Sequence, residues 1–221
     1  DRIFGMLEKV RPFFGIREII IETAPNQTTR EKLHCLKKAG VTRVSMGIQS
    51  FSDTELKTLA RQHCAKKARE ALELLMSEGF PCVNIDFIYG IPGQTTETLL
   101  NSLSEALNFA PDELFLYPLY LKHGAGLEKQ VGNGLVLEPQ KAYEQYKEAA
   151  AFLKSAGFRQ DSMRRFVRKN GDTEGVREFS DCGFGTSLAL GCGGRSYLGN
   201  LHFCTPYAIT QKDSLFQMDK F

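Results

Sequence analysis

Four polar side chains interrupt otherwise apolar stretches of this sequence. Glu22 follows Ile19-Ile20-Ile21, Gln49 closes the run from Arg43, Arg61 lies in Leu59-Ala60-Arg61-Gln62-His63, and Asp86 sits inside the run 82–89. Two carboxylates, an amide and a guanidinium suit a ligand that carries an amine, a carboxylate and hydroxyls together. One acid takes the ammonium, Arg takes the carboxylate, and the other acid takes a ribose diol. Asp86 is the most demanding of the four. An unpaired carboxylate is costly to bury, so this one needs a partner, a cleft or a ligand. Its strand breaks into Gly90-Ile91-Pro92-Gly93. That stretch reads as a strand-to-helix turn, and its glycines would also let backbone approach a flat ring or a phosphate.

The elements that must position these residues follow from periodicity and breakers. Residues 2–14 read as a helix with Ile3, Met6, Leu7, Val10 and Phe13 on one face. Ile19-Ile20-Ile21 is a β-branched strand. Thr28-x-x-Glu31 is a capping-box signature for a helix that runs through Lys38 and stops at Gly40. Arg43 to Gln49 is the next strand, Ser52-x-x-Glu55 opens a short helix, and a longer one runs from about Lys66 to Glu78 before Gly79. After the strand at 82–89 come a helix over roughly 96–108 and a strand from Leu114 to Leu119. Gly124 to Gly134 is a Gly-rich connector, and Pro139 opens an amphipathic helix to about Ser155. Phe158 to Val167 and Leu188 to Leu198 read as further strands, with a polar, exposed loop over 168–187 between them.

The resulting order, β-α-β-α-β-α-β with room for right-handed crossovers, predicts an α/β fold on a parallel sheet. Either an open doubly wound sheet or an arc of a β/α barrel satisfies that order. Both bind ligands at the carboxyl ends of their strands. Glu22, Gln49 and Asp86 should therefore converge on one cleft, with Arg61 within reach.

Composition narrows the function classes. A formal net charge of +2 with no basic block argues against nucleic acid as a partner. No apolar run approaches membrane-spanning length and no signal-peptide pattern opens the chain, which predicts a cytoplasmic protein without a membrane partner. The six cysteines, at 35, 64, 82, 182, 192 and 204, form no C-x2-C pair and match no zinc or cluster spacing, so no metal ligands are assigned. Cys35 and Cys82 read as small hydrophobes. His63, His123 and His202 lack metal spacing and read as packing or solvated residues. Arg164, Arg165 and Arg195 read as solvated charges, with contact to an acidic substrate as the alternative.

Several long stretches, in order, resemble one known family. They are Glu22-Thr23-Ala24-Pro25, the run Gly40 to Phe51 with Ser45-Met46-Gly47-Ile48-Gln49-Ser50, Arg61-Gln62-His63, and Ile85-Asp86-Phe87-Ile88-Tyr89-Gly90-Ile91-Pro92-Gly93-Gln94. Together they are similar to the oxygen-independent coproporphyrinogen III oxidase-like radical SAM family, over roughly residues 15 to 120. Tyr117-Pro118-Leu119-Tyr120, Ser162 to Phe166 and Leu190 to Tyr197 resemble an uncharacterised bacterial subgroup of it.

The resemblance implies a partial (β/α) barrel of parallel strands with a C-terminal α+β extension. Residues 1–122 would form the barrel part, and 123–221 a helix-plus-strand extension closing its edge. It implies S-adenosylmethionine at the strand ends, held by Glu22, Gln49, Arg61 and Asp86, with Ile88 and Tyr120 contributing largely through backbone and Tyr197 as a further candidate. It also implies a 4Fe-4S cluster that cleaves this cofactor to a 5′-deoxyadenosyl radical, fed by an electron donor such as flavodoxin or ferredoxin. The substrate would be a small molecule of the tetrapyrrole kind.

The family holds its cluster with C-x3-C-x2-C, which this sequence lacks. Its first strand corresponds to the family's third, so the resemblance places the cluster loop in a part that precedes this chain. On that reading the intact parent is an oxidoreductase and the chain alone is inactive. Two other readings remain open at this stage. One is a non-catalytic haem-binding or carrier protein like the family's haem chaperones, although their H-N-x-x-Y-W pattern has no counterpart in 178–187. The other is a conventional β/α-barrel enzyme using Asp86 and Glu22 as acid and base.

Overall fold

In β2 (Arg43–Gln49), Val44, Met46 and Ile48 alternate with Arg43, Ser45 and Gly47, so one face of the strand is apolar and the other polar. The same alternation recurs in β3 (Cys82–Tyr89) and β4 (Glu113–Pro118). The computed structural model describes residues 2–13, 15–120, 137–169, 186–189, 193–205 and 217–219. The chain divides into two units, Ile16–Asn170 and Asp1–Gly15 together with Gly171–Phe221. The Gly-rich connector 124–134, most of the predicted loop 168–187, His123, Cys182, Cys192 and the expected boundary after residue 122 lie outside the described residues.

The first unit is built on a six-stranded sheet, ordered β1-β2-β3-β4-β6-β5. β1 (Ile20–Thr23), β2, β3 and β4 are parallel neighbours; β6 (Arg165–Arg168) runs antiparallel to β4, and β5 (Phe158–Gln160) antiparallel to β6. The crossovers are α2 (Arg30–Lys38), α3 (Asp53–Thr58) with α4 (Ala65–Ser77), and α5 (Thr96–Leu107). α6 (Pro139–Ser155) precedes β5.

Leu33, Leu72, Leu75, Leu99, Leu103, Ala149 and Leu153 from four of these helices pack on Val44, Met46, Ile48, Ile85, Phe87, Leu114 and Leu116. Burial at this density supplies most of the drive to fold, at about 25 cal/mol per Å² of apolar surface. These helices all lie on the apolar face of the sheet. A doubly wound sheet would carry helices on both faces, so the arrangement is that of a β/α-barrel arc. The second unit contains α1 (Arg2–Val10) and an antiparallel sheet of β7 (Arg195–Leu198), β8 (Leu201–Cys204) and β9 (Gln217–Asp219).

Three sequence expectations are corrected. The cap of α2 is Thr29, whose hydroxyl accepts from the Lys32 amide, while Thr28 donates its hydroxyl back to the Ala24 carbonyl. The strand expected over 158–167 is a hairpin, because Asp161 to Arg164 turn the chain between β5 and β6. Within the stretch 188–198, strand pairing starts only at Arg195, although Ser187 makes an isolated bridge to Tyr197.

Candidate functional site

Register assembles the polar face. Glu22 is opposite Ser45, Ser45 opposite Asn84, and Asn84 opposite Glu113; one layer further on, Gly47 is opposite Asp86 and Asp86 opposite Phe115. Neighbours in parallel register share a face, so Glu22, Ser45, Asn84 and Asp86 form one polar patch across three strands. Asp86 has the partners its burial demands: Asn84 Nδ2 donates to Oδ1 at 2.7 Å and Ser45 Oγ donates to Oδ2 at 3.1 Å. Asn84 Nδ2 also donates to Ser45 Oγ at 2.6 Å, while its buried Oδ1 has no hydrogen-bond partner among the described residues. Burial pushes the Asp86 carboxyl up to about 6; Glu22 adds to the rise, against the hydrogen bonds from Asn84 and Ser45 and the charge of Arg43.

Gln49 reaches the same patch by an irregular route. Pairing with β3 slips between Gly47 and Gln49, so Ile48 is the extra residue of a bulge, and Gln49 has φ 72°. Its side chain folds back over Gly47, where a Cβ would lie 2.6 Å from Nε2. Gly47 thus leaves the space that brings the Gln49 amide beside Asp86. A non-glycine residue in the left-handed region costs of order 1 kcal/mol and persists where its surroundings over-determine it.

Arg61 follows α3. Its amide donates to the Leu56 carbonyl, closing a turn in which Ala60 takes φ 53°. Partial burial lowers the pKa of its guanidinium, and among the described residues it has no acidic partner. Two residues on, the buried His63 imidazole hydrogen-bonds the Ile48 carbonyl at 3.1 Å, inside the bulge; burial lowers its pKa. His63 therefore ties the Arg61 segment to the strand end that carries Gln49.

Ile88 shares the face of Asp86, opposite Tyr117. Its carbonyl accepts from Gln94 Nε2 at 3.3 Å. The glycine turn beyond it serves packing: Gly90, at φ 78°, would place a Cβ 2.8 Å from Ala142 Cβ on α6. Its amide is already donated to Gln94 and Gln145. Tyr120 is exposed, and its hydroxyl accepts from Arg164 Nη2 at 2.9 Å. Tyr197 belongs to the second unit, on β7, where its ring meets His202 edge-on.

Glu22, Gln49 and Asp86 are thus brought together on one patch, and His63 links Arg61 to its edge. Sequence reading missed Ser45, Asn84 and Gly47. Their signal was available in the period-two placement of Asn84 and Asp86 and in the register of neighbouring strands. Arg165 is a correction: it is buried, and its Nη2 pairs with Glu113 Oε1 at 2.6 Å, because the antiparallel β6 turns it onto the polar face rather than into solvent. Arg164 lies over the rings of Tyr117 and Tyr120.

Residues 1–106 match the model of the radical SAM superfamily. A protein of Mycobacterium tuberculosis named heme chaperone HemW is 31% identical over 204 residues, covering 90% of this chain and 52% of that protein. The mitochondrial radical S-adenosyl methionine domain-containing protein 1 of Bos taurus is 34% identical over 183 residues, covering 80% of this chain and 41% of its own length. Coproporphyrinogen III oxidase (HemN) from Escherichia coli, a radical SAM enzyme, has a structure similar to this one with a TM-score of 0.79. It is 24% identical, over 98% of this chain and 55% of that one. The chain spans about half the length of the curated relatives it matches. It belongs to the radical SAM family and has the fold of its coproporphyrinogen III oxidase-like members.

Proposed function

We propose that the polar face of the sheet is the S-adenosylmethionine site of a coproporphyrinogen III oxidase-like radical SAM protein. The observation that carries this reading is the register that puts Glu22, Ser45, Asn84 and Asp86 on one polar face across β1, β2 and β3. Two carboxylates on that face suit a ligand bearing ammonium and sulfonium charge, and burial together with Glu22 raises the Asp86 pKa. The Gln49 amide beside Asp86 offers both a donor and an acceptor to ribose hydroxyls, and the partly desolvated Arg61 suits the ligand's carboxylate. Ile88 and Tyr120 contribute backbone at the strand ends. All of these are positioning groups; no proton transfer is assigned to them.

When bound and reduced, S-adenosylmethionine supplies a 5′-deoxyadenosyl radical for hydrogen abstraction. The cysteines of this sequence do not provide the spacing that holds a 4Fe-4S cluster, so the cluster and its flavodoxin- or ferredoxin-like donor belong to the whole protein. The substrate is a small molecule, and the names of the relatives point to a tetrapyrrole. A cytoplasmic setting accords with the described helices, none of which is long and apolar enough to cross a membrane.

Calorimetric titration of the full-length parent with S-adenosylmethionine tests the site. Asp86→Ala and Gln49→Ala should each weaken binding by about tenfold or more with iron content unchanged, the loss of one charge-assisted or buried hydrogen bond. Unaltered affinity in both variants would refute the assignment.

The relatives named as haem chaperones favour a second reading, a non-catalytic haem carrier. Stoichiometric haem uptake without turnover of S-adenosylmethionine would decide for it.

A further inference from the structure

The ends of β2 and β3 are finished by residues that share one buried carboxylate. Glu55, on α3, accepts from Ser50 Oγ at 2.6 Å, from Gln94 Nε2 at 3.0 Å and from Thr98 Oγ1 at 2.5 Å. Ser50 directly follows Gln49, and Thr98 lies in the first turn of α5. Glu55, Ser50 and Gln94 are all buried.

Gln94 uses both ends of its amide. Its Oε1 accepts from the Gly90 and Ile91 amides at 2.9 and 3.3 Å, and its Nε2 donates to the Ile88 carbonyl as well as to Glu55. Gln145, on α6, closes the arrangement: Nε2 donates to the Gln94 carbonyl and Oε1 accepts from the Gly90 amide.

The orientation of the Gln94 amide is the informative detail. A carboxylate can only accept, so Glu55 requires the NH2 end and leaves the oxygen facing Gly90 and Ile91. Reversed, the amide would set its NH2 against two backbone donors and its oxygen against the Ile88 carbonyl and a carboxylate. One charge on α3 thereby dictates the backbone from Ile88, near the end of β3, to Ile91 beyond it, while its bond to Ser50 fixes the residue next to Gln49.

We propose that Glu55 is a positioning residue which, through the Gln94 amide, sets the ends of β2 and β3 so that Gln49 and Ile88 meet an adenosyl ligand. The proposal rests on the reading of the polar face as an S-adenosylmethionine site.

A swap of the two side chains tests it in the full-length parent. Gln94→Glu sets two carboxylates against each other, whereas Gln94→Glu combined with Glu55→Gln restores the bond between positions 55 and 94 in reversed order and leaves a carboxylate oxygen facing the Ile88 carbonyl. Titrated with S-adenosylhomocysteine, the single variant should bind at least tenfold more weakly, and the double variant should recover part of that loss. Amide exchange at Gly90 and Ile91 should rise in the single variant and fall again in the double. A merely structural network would shift melting temperature while leaving the affinity of the folded protein unchanged, and that result overturns the proposal. Exchange at Gly90 and Ile91 that ignores Gln94→Glu overturns it too. If Gln94→Glu does not fold, Glu55→Gln, which keeps the volume and releases the orientation, decides through the same two readings: faster exchange with weaker binding supports the proposal, and wild-type values overturn it. A wild-type parent that takes up no S-adenosylhomocysteine sinks the site reading beneath it, whereas wild-type binding untouched by the variants sinks only the role of Glu55.

Discussion

Asp86 shows how a single side chain can be held and still be available. Its two oxygens each accept one hydrogen bond, from Asn84 and Ser45, yet burial and the charge of Glu22 raise its pKa from an ordinary 3.8 to about 6. In the unfolded chain the proton leaves near the ordinary value; in the folded chain it stays on to about 6. Stability from this group is therefore fully present below about pH 4 and is lost as pH rises through 6. The loss is at most about 3 kcal/mol and smaller for a partly solvated carboxyl, since one pKa unit is worth about 1.4 kcal/mol. Asp86→Asn removes that dependence. Urea denaturation at pH 4.5 and 7 should show wild type losing about 1–3 kcal/mol relative to the variant over this interval. Identical slopes for the two proteins would show that Asp86 carries an ordinary pKa. Binding of a cationic ligand runs the other way, because the ligand needs the charged form. Affinity for S-adenosylmethionine should fall about tenfold between pH 7 and 5 in wild type and stay flat in Asp86→Asn.

At the level of elements, a glycine within β2 and one just past β3 do different work, and alanine separates them. Gly47 has an ordinary backbone, and an added Cβ would meet only the far end of the Gln49 side chain at 2.6 Å. Gly47→Ala should keep the melting temperature within about 2 °C while weakening the ligand several-fold, because a flexible amide moves and the strand is otherwise content. Gly90 combines φ 78° with a Cβ clash of 2.8 Å against Ala142 Cβ. Gly90→Ala should cost about 2–4 kcal/mol, from left-handed strain plus overpacking. Thermal melts paired with calorimetry check both; equal effects on stability would erase the distinction. The strands themselves were legible, because apolar alternation in Val44-Ser45-Met46 and Ile85-Asp86-Phe87 fixes period and face. The bulge at Ile48 was not: Arg43 to Gln49 alternates without a break, and the slip appears only against β3. Nor was the choice of Thr29 over Thr28 as cap, since both hydroxyls stand at plausible spacing and the turn at Pro25–Gln27 decides between them. Convergence of Glu22, Gln49 and Asp86 could be read from their strand positions. The partners of Asp86 depend on register, which no single strand contains.

Across the whole sheet, the polar face is held from below by ions. Arg43 at the start of β2 and Arg165 at the start of β6 both meet Glu113 at the start of β4, each at 2.6 Å, with Glu113 almost fully buried. Asp161 adds a longer contact to Arg165 at 3.6 Å, and Arg43 lies over the Phe115 ring. The antiparallel β6 is what closes this triad, and sequence reading could not place it, because a lone arginine pattern looks the same on a solvated strand. Both guanidinia share the Glu113 carboxylate, so its loss would take a buried charge partner from each. Removing one partner of a buried pair costs about 3–5 kcal/mol, whereas replacing a whole triad with well-packed apolar residues is often neutral. Glu113→Gln should therefore lower unfolding free energy by about 3–5 kcal/mol. Changing Arg43→Met, Glu113→Leu and Arg165→Met together should restore most of that loss, and urea midpoints at pH 7 measure both. A single variant within about 1 kcal/mol of wild type would mean that the triad contributes no more than surface pairs do. The triple variant carries a second consequence for the site above it. Arg43 helps hold the Asp86 pKa down, so its removal should move that titration upward, and the ligand's pH midpoint should rise with it.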